Sequence, residues 1–187
     1  MTVEYAVVAP GEVTPQPMSD ALLSGRPETY ERMAAYGLLA QLLGKIQDDL
    51  SIEGLIKDEQ GRPYFPQYPS LWLSVAHTQG AVAAAVSSTG RIGIDVEAPV
   101  SYDPDVGEMT LTSEQRAAIE SAPNPASAFL RMWTRKEAIG KALGVGITET
   151  VLSSSAEQST LRVQGVHLAL SDLTAPNGCF AALAVGI

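Results

Sequence analysis

The chain has 187 residues, 45% of them hydrophobic, which allows one domain or two small ones and a real apolar core. Lys and Arg number 12 against 21 Asp and Glu, a net charge of −9, and that balance argues against a nucleic-acid binder, whose phosphate contacts need a basic face. No run is long enough to span a bilayer, no basic segment followed by an apolar core opens the chain, and the single cysteine, Cys179, rules out an internal disulfide, so a soluble cytoplasmic protein without a Cys/His zinc cluster is expected.

Residues 3–9 read as a short apolar strand, and residues 10–27, rich in Pro, Gly and Ser and without period, as loop. A helix is predicted from 27 or 28 to 43, with Met33, Tyr36, Leu39 and Leu43 on one face, Gly44 as its stop, and Arg26 and Arg32 at or near its start. Residues 46–69 are irregular around GRPYFPQYP, whose aromatics next to prolines read as loop packing. Residues 71–75 and 81–86 read as strands joined by a turn over 76–80 that carries His77, a residue type whose ordinary role is structural. Residues 98–108 read as a Pro/Gly/Asp linker, after which Thr112 begins a capped helix through EQRAAIES. A break over 123–125 precedes a long helix over 126–143, ended by Gly144 and Gly146, and the segments 161–163, 166–170 and 180–185 read as strands. His167 falls in one of these strands and reads as structural.

Two stretches carry the chemistry. In RIGIDVEAP, residues 91–99, Ile92, Ile94 and Val96 alternate with Gly93, Asp95 and Glu97, the period of a strand with one apolar face. Its other face presents two carboxylates about 6.6–7 Å apart along the strand. Such neighbours repel, which raises one pKa or calls for a cation, and hard oxygen ligands suit Mg²⁺; a solvated acidic edge is the simpler alternative. In WTRKEAIGKALG, residues 133–144, a helical wheel puts Phe129, Met132, Trp133, Ile139 and Leu143 on one arc with Lys136 inside it, and Glu137 and Lys141 beside it. A lysine among apolar neighbours either snorkels to water or meets an anion.

In this order the two stretches resemble the G-x-D-x-E strand and W-x-x-K-E-x-x-x-K helix of the 4′-phosphopantetheinyl transferases, of the surfactin-synthetase-activating type. GRPYF at 61–65, LSVAHTQGAVAAAV at 73–86 and CFAALAV at 179–185 resemble further family segments, so the resemblance covers about residues 26–187. The resemblance implies an α+β fold, a pseudo-dimer of two similar halves, each a small antiparallel sheet with a long helix. The halves would be residues 1–100, with the coenzyme-binding elements and the metal-binding strand, and 101–187, with the WxxKExxxK helix, and the active site would lie between them. It implies transfer of 4′-phosphopantetheine from coenzyme A to a serine of an apo acyl or peptidyl carrier protein, with release of 3′,5′-ADP. Asp95, Glu97 and Glu137 would ligate Mg²⁺, Glu137 would accept the serine proton directly or through a metal-bound water, and Lys136 and Lys141 would bind phosphate oxygens. Arg32, Arg62 and His77 would hold the coenzyme. The family commonly has Ser where this chain has Ala76. Expected partners are coenzyme A and the carrier, with no nucleic acid or membrane, and a monomer is expected. Two other readings stay open: another Mg²⁺-dependent pyrophosphate-cleaving enzyme using the same acids, and a non-catalytic carrier-binding module.

Overall fold

The computed structural model describes residues 2–23, 27–47 and 50–187; Arg26 lies outside them. The chain forms strands β1 (Val3–Val8), β2 (Ile56–Lys57), β3 (Pro63–Tyr64), β4 (Trp72–Thr78), β5 (Ala81–Ser87), β6 (Ile92–Glu97), β7 (Thr160–Val163), β8 (Val166–Leu173) and β9 (Phe180–Gly186). Its α-helices are α1 (Asp20–Leu23), α2 (Tyr30–Ile46), α3 (Pro104–Thr110), α4 (Ser113–Glu120), α5 (Pro125–Leu143) and α6 (Glu149–Leu152). All pairings are antiparallel: one sheet in the order β1-β5-β4, another in the order β6-β9-β8-β7, and the short β2–β3 ribbon. The fold is α+β, as expected.

The layers follow from side-chain size and alternation. In β5, AVAAAVS, Val82, Ala84 and Val86 pack on α2 through Leu39, Leu42 and Leu43. Its other face, Ala81, Ala83 and Ala85, packs on Ile92, Ile94 and Val96 of β6 and Leu183 of β9. The second sheet turns its far face, Leu168, Leu170, Ala182 and Ala184, to Ala138, Ile139 and Ala142 of α5. The stack is therefore helix, sheet, sheet, helix, and the alanines of β5 let the two sheets approach closely. β6 alternates as expected, yet its polar face is covered by α5 rather than solvated: Asp95 is 5% exposed. Gly93 makes this possible, because a Cβ there would lie 2.0 Å from the Ala138 carbonyl oxygen and 2.5 Å from the Ala142 nitrogen.

Helix ends obey local chemistry. Thr112 and Gln115 form a complete capping box at α4. Asn124 caps α5, Pro125 opens it, and Gly144 closes it at φ 73°. Elsewhere the structure departs from the expected boundaries. α2 runs through Gly44 to a cap at Gln47, since packing of Leu42 and Leu43 outweighs one glycine's entropic cost. The loop over 10–27 contains α1, the irregular stretch contains β2 and β3, and the linker over 98–108 contains the start of α3, capped by Asp103. β4 continues to Thr78, so His77 sits on a strand, paired with Val82, and not in the turn.

Candidate active site

The tight packing of α5 on β6 brings the acids of the strand to the polar residues of the helix. Lys141 reaches Asp95 at 2.7 Å and also donates to the Ile94 and Val75 carbonyls at 3.2 and 3.5 Å. Lys141 turns to Asp95 rather than to Glu137 one helical turn before it, because Asp95 is the more buried charge and gains most from a partner. The second oxygen of Asp95, Oδ2, is buried and has no hydrogen-bond partner among the described residues. Glu97 accepts from the Trp133 indole N–H at 3.1 Å. Burial, and then the Asp95 charge, push its carboxyl up to about 7, against the lowering pull of the Trp133 bond and Lys141. Burial and Asp95 likewise raise Glu137, which Lys141 offsets in part.

One cleft is bordered by Arg32 and Tyr36 of α2, Lys57, His77 of β4, Asp95, Glu97 and Lys141. A second opens beside it, sharing Gly61, Val75 and Lys141 and adding Arg62 and the glycines at the end of α5. Lys141 lines both clefts. Arg32 is anchored by its Nη1 on the Pro27 carbonyl at 2.8 Å. Arg62 is held by Asp58, whose carboxylate takes its Nε at 3.0 Å and its backbone N–H at 2.9 Å. Burial, with the charges of Arg32 and Lys141, lowers the pKa of His77, so its imidazole is neutral near pH 7.

Lys136 calls for a correction. The expectation was an ammonium on a ligand phosphate; the structure turns it away from both clefts. Lys136 is 0% exposed, and its Nζ donates to the Thr110 carbonyl at 2.8 Å, to Gln115 Oε1 at 2.7 Å and to the Leu152 carbonyl. It neither snorkels nor faces a ligand: three acceptors from α3, α4 and the end of α6 satisfy all its protons. Burial lowers its pKa to about 8, still charged at neutral pH.

The other expected residues fall in two groups. Asp95, Glu97 and Lys141 share one cleft wall, with Arg32 and His77 on the same cleft, while Arg62 lines the adjoining one. Glu137 belongs to the same electrostatic cluster as Asp95 and Glu97. Sequence reasoning missed the bond from Trp133 to Glu97, the Lys57 side of the cleft, and Ser74, whose hydroxyl accepts from the Ile94 N–H at 3.0 Å and pins the two sheets together. The pattern of β4 and β5 gave no hint of Ser74, since its partner lies on another sheet.

Among the described residues no three of His, Cys, Asp and Glu converge closely enough to form a ready metal cage. The donor set nevertheless suits a hard divalent ion. It is all carboxylate, it contains an orphaned buried oxygen at Asp95, and the Asp95 charge helps to raise both Glu97 and Glu137, a repulsion that a cation relieves.

Fold and site together define an α+β protein with acids and an ammonium set between a sheet and the helix packed on it, beside a cation-lined cleft, the equipment for handling a phosphorylated ligand. The family model of the 4′-phosphopantetheinyl transferase superfamily matches residues 91–180, which run from β6 through α5 to β9. The 4′-phosphopantetheinyl transferase AcpT of Salmonella typhi is 28% identical over 158 residues, 81% of this chain and 79% of its own. AcpT of Escherichia coli is 28% identical over 152 residues, 79% of this chain and 74% of its own. The 4′-phosphopantetheinyl transferase HetI of Nostoc sp. is 29% identical over 175 residues, 85% of this chain and 72% of its own. The chain is thus similar to 4′-phosphopantetheinyl transferases, over residues 91–180 by the family model and over about four fifths of its length by these relatives.

Proposed function

We propose that this enzyme moves the 4′-phosphopantetheine group of coenzyme A onto a serine of an apo acyl or peptidyl carrier protein, with Mg²⁺, releasing 3′,5′-ADP. The observation that carries the reading is the meeting of Asp95, Glu97 and Lys141 over a cleft that also holds Arg32 and His77. In the transfer, the serine oxygen bonds to the β-phosphorus, the bond from that phosphorus to the bridging oxygen breaks, and the electron pair leaves on 3′,5′-ADP. Such chemistry depends on in-line positioning and on neutralising charge.

Asp95, Glu97 and Glu137 are the residues that would hold Mg²⁺, which when bound neutralises pyrophosphate oxygens. Lys141 keeps two short contacts, to Asp95 and the Ile94 carbonyl, and its long contact to Val75 is the donor it can redirect to a phosphate oxygen. Arg32, Arg62 and His77 bind the coenzyme phosphates. Glu137 takes the serine proton: a carboxyl raised by burial is a better-matched base near neutral pH than an ordinary one. Trp133 fixes the direction of the Glu97 carboxylate. The halves, residues 1–100 and 101–187, work as a pseudo-dimer of the surfactin-synthetase-activating type, and the protein acts in the cytoplasm as a monomer. Among the described residues no helix is long and apolar enough to cross a membrane.

The test is intact mass spectrometry of an apo carrier incubated with the protein, coenzyme A and Mg²⁺. A gain of one phosphopantetheinyl group is expected. Coenzyme A cleavage with an unchanged carrier would point to a hydrolase, and carrier binding without any mass change would point to a binding module.

A further inference from the structure

Tyr36 lies in α2, is 2% exposed, and borders the cleft together with Arg32 and His77. Arg32 precedes it by four positions, so both side chains come off one face of the helix. The Tyr36 hydroxyl is buried and has no hydrogen-bond partner among the described residues. A helix position that only packs against leucines is served as well by Phe, and a buried hydroxyl without a partner costs stability. The surroundings specify what would complete it. The Arg32 guanidinium is near enough to act electrostatically on both the Tyr36 phenol and the His77 ring. One fixed cation beside two neutral donors is a setting for an anion with several acceptor oxygens.

We propose that the Tyr36 hydroxyl donates a hydrogen bond to a phosphate oxygen of the coenzyme, completing a pocket with Arg32 and His77. The assignment rests on the coenzyme reading above and adds a residue to it. Burial pushes the phenol up to about 12, so it stays a protonated donor throughout the working range and never competes as an anion. The ligand supplies the acceptor that the fold leaves out.

Tyr36→Phe removes one oxygen and keeps the ring. Wild type and variant should be titrated calorimetrically with coenzyme A, with 3′,5′-ADP and with pantetheine, and melted without ligand. The variant should melt at the wild-type temperature or above it, and bind coenzyme A and 3′,5′-ADP about ten- to a hundred-fold more weakly, as for loss of one hydrogen bond to a charged group. Pantetheine, which has no phosphate, should bind both proteins alike. Unchanged affinity for both nucleotides overturns the assignment, as does a lowered melting temperature without ligand, which would mark the hydroxyl as structural. Wild-type protein that binds neither nucleotide overturns the coenzyme reading and this assignment together; wild-type binding with unchanged variant affinity overturns the assignment alone.

Discussion

Asp95 spends one oxygen on Lys141 and leaves the other without a partner, while being 5% exposed. Removing the ammonium strands a buried charge. Lys141→Met should therefore lower stability by about 3 kcal/mol, the low end for a broken buried pair because Lys141 is part-open. Urea unfolding measures this, and transfer should fall at least about a hundred-fold through lost charge neutralisation. Glu97 makes a pH prediction. Its carboxyl ionises near 7 when folded against an ordinary 4.5, so between those values the folded chain holds a proton that the unfolded chain has released. Its stabilising contribution is full below about pH 4.5 and is lost as pH rises through 7. The melting-temperature difference between wild type and Glu97→Gln should thus decline over that interval and flatten above it; an increasing difference would contradict the assigned environment. Both acids were legible in the sequence because strand alternation puts them on one face. The Trp133 bond was not, since it joins residues on two elements whose approach no local pattern encodes.

Two contacts of α5, one made by its own Lys136 and one made with Gly93 of β6, would act on whole segments if lost. Lys136 ties α5 to α3, α4 and α6 through three oxygens. Lys136→Met keeps the stem but leaves those acceptors unpaired, and should destabilise by about 2 kcal/mol or more. Hydrogen exchange should rise in α3, α4 and α6 ahead of the two sheets. Gly93→Ala would push the strand against the α5 backbone at Ala138, and should cost about 3 kcal/mol or more with activity falling in parallel, because the same displacement separates Asp95 from Lys141. Thermal melts and transfer assays on the same preparations check it. The sequence displayed Lys136 as an oddity on an apolar arc and could go no further. Whether an ammonium snorkels, meets a phosphate or caps carbonyls depends on what surrounds it, here Thr110, Gln115 and Leu152 from segments 16 to 26 residues away. Tyr36, Leu39 and Leu43 of α2 are buried as their spacing predicts, Met33 only in part, and the end of the helix is not legible, since Gly44 marks a stop only where tertiary packing does not carry the helix past it.

At the scale of the molecule, two sheets stacked between two long helices place the acids of β6 in the middle of the chain's thickness, under α5, and leave the cleft at the sheets' edge. The alternation of β5, with valine toward α2 and alanine toward β6, was visible as a buried strand, but which sheet it faced was not. Small side chains state only that something comes close. Net charge acts at this scale too. With −9 on the enzyme, encounter with a carrier that is itself acidic would be opposed at long range. The transfer rate at limiting carrier should therefore rise between low salt and about 0.15 M, where the screening length is about 8 Å. Rates that only fall with salt would instead indicate a basic docking patch that dominates the encounter.

Trp72 rests against two guanidiniums, Arg62 at 4.7 Å and Arg91 at 4.9 Å. Arg62 lines the cleft, while Arg91 binds the Leu143 carbonyl at 2.8 Å at the end of α5. The indole thus touches the ligand-facing loop and the closing turn of the site helix at once. The other tryptophan, Trp133, is bonded to Glu97 at the acidic end. The two intrinsic fluorophores consequently sit at opposite ends of the working surface. In a Trp133→Phe protein, emission from Trp72 alone should shift as a nucleotide displaces Arg62 from the ring, and in Trp72→Phe the signal should follow the carboxylates instead. On the proposed function, Trp72 would report arrival of the nucleotide and Trp133 the ionic state of the acids.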